Sequence, residues 1–154
     1  MIEAVGVGKP VLFVVREPVD SIVSWHQFTG QAFERIIAHY VVFHRKLSGY
    51  RSQMVVATFD KLMTDFSKPL QRLQLKYGIE ANLDFSQDTL AQQTLAAIDR
   101  DIEASGKVKD ENIVPRPSPQ RAVRKAGLLA ELRAPRFEPA LVEAEAVYRD
   151  FAGE

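Results

Sequence analysis

Val11-Leu12-Phe13-Val14-Val15-Arg16-Glu17-Pro18-Val19-Asp20-Ser21-Ile22-Val23-Ser24 carries the chain from a strand into a helix, and its reading decides the fold. Five apolar residues without alternation suit a strand covered on both faces, as in a parallel sheet. Pro18 lacks the amide hydrogen that a first helical turn leaves unbonded in any case, and Asp20 sets negative charge at the positive end of the helix dipole. Ile22, Val23, Trp25 and Phe28 give this helix an apolar side, and Gly30 is its stop.

Working outward, Phe33, Ile36, Ile37, Tyr40, Val41, Phe43 and Leu47 recur at three- and four-residue intervals and predict a second helix over 31–48. Met54 to Phe59 reads as a second strand, and the long connection before it calls for parallel pairing. Asp60 then caps a short helical turn. Ser67 and Pro69 restart the chain as a helix through Tyr77, closed by Gly78. Further helices are predicted over 87–105, with Leu90, Leu95, Ile98 and Ile102 inward, from Ser118-Pro119 to 133, and from Glu138-Pro139 to 151. Residues 106–119, polar and holding three prolines, read as a loop. The expected class is α/β: an incomplete parallel sheet of two recognisable strands, about six helices and a helical C-terminal half. Such an apolar first strand expects neighbours on both edges, so a partner strand is expected from a preceding segment, from a second copy in a homodimer, or from strands of this chain that the pattern does not reveal.

Composition narrows the function. The chain has 154 residues, long enough for one domain with its own core. Twenty basic and twenty acidic residues cancel, so no global field draws in nucleic acid or an anionic membrane, and any anion site must be local. With no cysteine there are no disulfides, thiolate metal sites or cysteine nucleophiles, which fits a reducing compartment. No apolar stretch reaches the ~20 residues needed to span a bilayer, and the opening residues lack the regions of a signal peptide. A cytoplasmic protein without nucleic-acid or membrane partners is the expectation, and no ligand cluster calls for a metal.

The strand-to-helix junction is where parallel sheets bind ligands, because loops at the carboxyl ends of strands lead into helix N-termini with unpaired N–H groups. Arg16 lies at such an end, and its guanidinium grips a phosphate through two parallel hydrogen bonds. Ser24, two turns along the helix, offers a hydroxyl to the same phosphate. An alternative stands beside this: Arg16 pairs with Glu17, Asp20 or another acid, and Ser24 is an ordinary helix residue. Gly6-Val7-Gly8-Lys9-Pro10 only imitates a phosphate loop, since it precedes a strand and has Pro10 where Ser or Thr is required.

Val11 to Phe28 resembles the segment of PAPS-dependent sulfotransferases in which a hydrophobic strand leads to Arg-x-Pro-x-Asp, a Ser eight residues after the Arg, an aromatic residue, and Phe four beyond the Ser. Those positions are Arg16, Pro18, Asp20, Ser24, Trp25 and Phe28. Val55 to Gly78 is similar to the family's second strand, its Tyr-Glu-Asp-Leu turn and the helices that follow. The resemblance covers roughly the first half of the chain. It implies a single sulfotransferase-like domain on an incomplete P-loop-type sheet. The cofactor would be PAPS, 3′-phosphoadenosine 5′-phosphosulfate, and the reaction sulfuryl transfer to a hydroxyl or amine of an unidentified small molecule. Arg16 and Ser24 would bind the 3′-phosphate. Phe59 aligns with a tyrosine near the adenine and keeps only its stacking face. Arg121, Arg124 and Lys125 stand in for the family's Arg-Lys-Gly clamp, although Ala126 separates Lys125 from Gly127, and a solvated helix face is the competing reading.

Two family elements have no counterpart here. One is the loop that cradles the 5′-phosphosulfate through backbone N–H groups. The other is the catalytic histidine, since His26, His39 and His44 all follow the Arg-x-Pro element that it precedes in the family. No catalytic residue is therefore assigned, and the domain is expected to be truncated at its N-terminus and weak or inactive alone. The rival expectation is a non-catalytic nucleotide-binding or dimerising module. A kinase-like relative is a third, disfavoured for want of a phosphate loop and of carboxylates for Mg²⁺.

Overall fold

A computed structural model describes residues 2–104 and 119–153. Its order is α1 (Ile2–Gly6), β1 (Leu12–Val15), α2 (Pro18–Thr29), α3 (Phe33–Ser48), β2 (Val55–Thr58), α4 (Phe59–Thr64), α5 (Ser67–Tyr77), α6 (Gln87–Ala104), α7 (Pro119–Leu132) and α8 (Glu138–Ala152). The chain is mostly helical around a two-stranded parallel sheet, which agrees with an α/β class.

The described residues form eight helices where about six were expected. One addition is α1, too short to show a period, which seats Val5 against Val11 and Phe13. The other is α4, which begins at Phe59, the residue expected to end the second strand. Thr58 closes that strand in extended geometry (φ −76°, ψ 147°), and Asp60 lies inside the first turn of α4 rather than capping it. The expected loop over 106–119 lies outside the described residues except for Pro119, the first residue of α7.

Local chemistry fixes the elements around β1. Glu17, not Asp20, caps α2: its carboxylate accepts hydrogen bonds from the amides of Val19 (3.1 Å) and Asp20 (2.8 Å). Gly30 ends the helix with φ 67°, a left-handed conformation that side chains with a Cβ rarely adopt. Between these ends α2 turns Ile22 and Val23 inward, both fully buried, each worth about 1.5–3 kcal/mol of hydrophobic free energy. They meet Ile37 and Val41 of α3, Leu132 of α7 and Val147 of α8 in one cluster. A second cluster packs one sheet face (Phe13, Val15, Val56) against Leu47 of α3 and Phe151 of α8.

Leu12 pairs with Val55 and Val15 with Thr58. The Val55 amide donates to the Val11 carbonyl at 2.9 Å. Backbone groups alternate sides along a strand. Val11, Phe13 and Val15 therefore turn theirs toward β2, while Leu12, Val14 and Arg16 turn theirs away. On that outer edge the Arg16 carbonyl accepts a 2.8 Å hydrogen bond from the Tyr40 hydroxyl. Leu12 and Val14 have no backbone partner there among the described residues. No neighbouring strand among the described residues covers this edge. The outer edge of β2 is sealed instead, because Arg72 of α5 donates to the Val56 carbonyl at 2.7 Å.

The apolar stripe predicted for α6 does not form a buried face: Leu95 is 42 % exposed, Leu90 and Ile98 are half-buried, and the Ile102 side chain lies outside the described residues. No helix among the described residues is long and apolar enough to cross a membrane.

Candidate functional site

Arg16 leaves the carboxyl end of β1, and its side chain meets two elements. Its Nη2 lies 3.1 Å from Asp20 Oδ2 on α2, and its guanidinium stands 4.8 Å from the ring centroid of Phe59 on α4. Asp20 then reaches α7, where its Oδ1 lies 2.7 Å from Lys125 Nζ. Each of these three charged side chains is about one-third exposed, so the bridge lies at a partly wet boundary. Burial raises the Asp20 pKa, but Lys125 and then Arg16 overcome that effect and hold it below 3.8.

Arg16, Phe59 and Lys125 are thus brought together, with Asp20 as the shared anion. The alternative that Arg16 pairs with an acid holds for Asp20. Ser24 lies beside them: with Arg16, Ser21, Trp25 and Phe28 it lines a cleft of about 220 Å³. Arg124 is exposed on α7, and the Arg121 side chain lies outside the described residues.

Two features that would attract an anion are therefore already in use. Glu17 occupies the positive end of α2, and Asp20 holds one edge of the Arg16 guanidinium. Capacity nonetheless remains. A guanidinium carries five N–H donors, and the one hydrogen bond of the Arg16 side chain uses a single nitrogen. Ser21 and Ser24 line the same cleft, and their hydroxyls have no hydrogen-bond partner among the described residues. The cleft thus gathers one cationic side chain and two hydroxyl-bearing residues from adjacent turns of α2.

Ser21 was not singled out by the sequence reading, although its spacing of three from Ser24 puts both on one helix face. Tyr40 was read only as a core residue. Burial first, and then the Glu17 carboxylate, keep its phenol far above its ordinary pKa, so it remains a hydrogen-bond donor to the Arg16 carbonyl. One turn on, His44 is buried with Nδ1 2.7 Å from the Tyr40 carbonyl oxygen. A carbonyl only accepts, so Nδ1 carries the hydrogen and Nε2 the lone pair. Burial pushes the His44 pKa below 6.5 and keeps the ring neutral.

His26 donates in the same way from Nδ1 to the Gln31 carbonyl at 2.7 Å and stacks on Phe33. His39 is exposed between Trp25 and Phe43. The glycine-rich segment 6–10 runs from α1 into β1, the reverse of the strand-to-helix order of a phosphate loop. Among the described residues no group of three or more His, Asp or Glu is placed to hold a metal ion.

No family model, curated protein or solved structure matches this chain.

Proposed function

We propose that this chain is a sulfotransferase-like protein whose Arg16–Ser24 element binds the 3′-phosphate of PAPS on an incomplete P-loop-type sheet. The observation that carries the reading is the shared cleft: Arg16, Ser21 and Ser24 line one space at the carboxyl end of β1, with donors to spare. Arg16 supplies charge, the serines supply direction, and Phe59 backs the guanidinium on the side of β2. Lys125 draws Asp20 toward α7 and so shares the load on Arg16. In the reaction class implied by the resemblance, an acceptor hydroxyl or amine attacks sulfur, the bond from sulfur to the 5′-phosphate oxygen breaks, and the acceptor proton passes to a base. No residue of this chain is assigned as that base, and the role proposed for these residues is binding.

Calorimetry with adenosine 3′,5′-bisphosphate tests it. Arg16→Ala should weaken binding by ~1.5–3 kcal/mol, the range for a hydrogen bond to a charged group, and Ser24→Ala by ~0.5–1.5 kcal/mol. Equal binding by wild type and Arg16→Ala, or none by either, sinks the reading.

A second reading, a module that pairs through β1 with a second copy, is favoured by the uncovered backbone of Leu12 and Val14. Sedimentation of wild type against Val14→Pro separates the two. A dimer abolished by proline supports pairing, and a wild-type monomer at all accessible concentrations removes it.

A further inference from the structure

We propose that a second cleft, between the outer edge of β1 and helices α2 and α3, binds a small aromatic anion of the arylcarboxylate type. Its volume, about 390 Å³, lies in the range of small-molecule sites. The walls are aromatic. His39 lies 5.9 Å from Trp25 and 6.4 Å from Phe43, nearly parallel to the latter at 13°, and Phe13 is 6.3 Å from Phe43. Trp25 is 49 % and Phe43 39 % exposed, so both offer ring surface to a ligand.

The charge is one-sided. Arg16 and Arg35 line this cleft and no aspartate or glutamate does, in a chain whose acidic and basic residues are equal in number. Arg35 is exposed and forms no ion pair among the described residues, unlike Arg16, which is engaged by Asp20. A flat apolar body between the rings with an anionic group against Arg35 uses both properties, and a neutral aromatic uses only one. An added β-strand would satisfy the edge of β1 but brings a neutral backbone to Arg35. A second copy on a two-fold axis would set this cationic patch against itself.

Trp25 is the only tryptophan of the chain and lines both this cleft and the Ser24 cleft, so its fluorescence reports a ligand in either, and Arg35, which lines only this one, assigns the signal. Phenylpropionate, phenylpropanol and propionate are the probes. Phenylpropionate should change the emission saturably, phenylpropanol should bind about tenfold more weakly, and propionate should not saturate over the same range. Arg35→Gln, an exposed substitution whose fold circular dichroism verifies, should weaken phenylpropionate about tenfold and leave phenylpropanol unchanged. Arg35 does not line the Ser24 cleft, so the same variant should bind adenosine 3′,5′-bisphosphate as wild type does, and either site can fail without the other. Equal affinity for acid and alcohol overturns the proposal, as does indifference to Arg35→Gln. An emission change that follows protein concentration without ligand also overturns it and assigns the face to a second copy.

Discussion

The two strands of the sheet are each four residues long and almost wholly apolar, yet they are finished differently. Every residue of β2 is buried, and the guanidinium of Arg72 closes its outer edge at Val56. In β1 Val14 is 38 % exposed, and the outward backbone groups of Leu12 and Val14 meet no described partner. Apolar content does not distinguish them. What differs is the partner of the outward backbone groups: Arg72 of α5 reaches the Val56 carbonyl of β2, whereas those of Leu12 and Val14 in β1 meet none among the described residues. Both strands contribute to the core beneath the sheet, and β1 leads into Arg16 and both of the clefts that Arg16 lines.

That contrast is sharpest in the side chains of β1 itself. Val15 is fully buried and Val14 is not, so Val15→Ala should lower unfolding free energy by about 2 kcal/mol, and Val14→Ala by less than about 0.5 kcal/mol. Urea unfolding at constant slope measures both. Equal losses would mean that the sheet face carrying Val14 is covered in solution. Next in size is the seal on β2. Arg72→Met keeps the aliphatic stem and leaves the Val56 carbonyl unpaired, which should cost about 1–2 kcal/mol. A neutral outcome would make the two edges equivalent.

The smallest effect belongs to the bridge at the open end. The Asp20 carboxyl is held below 3.8 in the folded chain, so its contribution to stability is present above that value and is lost as pH falls through the lowered one. Partial exposure screens the pairs, and the contribution stays under about 1 kcal/mol. Asp20→Asn should flatten this part of the acid limb of the stability curve, and added salt should shrink the difference. An unchanged acid limb would show that Asp20 is not bridged in solution.

Much of the framework was legible because punctuation residues mark it. Pro18, Gly30, Gly78 and the three- and four-residue spacing of α3 locate β1, α2, α3 and α5 closely. Glu17 as the cap was not, because glutamate is not among the usual capping residues and Asp20 looked like the partner of the dipole. The apolar stripe of α6 was visible in the sequence, but a stripe does not say what lies opposite it, and Leu95 faces outward. At the site, Arg16 and Ser24 stood out by spacing, whereas the ion pair from Lys125 to Asp20 joins residues too far apart in sequence for any local pattern to show. Arg35 gave no signal either, since one arginine on a helix is ordinary until the cleft beside it is found to contain no acid.

The central claim is that the open end of β1 reads a phosphate on the 3′ position of a nucleotide. Calorimetry of wild type and Arg16→Ala with adenosine 3′,5′-bisphosphate and with adenosine 5′-phosphate tests it most directly. Wild type should prefer the bisphosphate by ~1.5–3 kcal/mol, and Arg16→Ala should lose that preference while retaining its affinity for adenosine 5′-phosphate. A preference that survives Arg16→Ala, or no preference in wild type, would contradict the account.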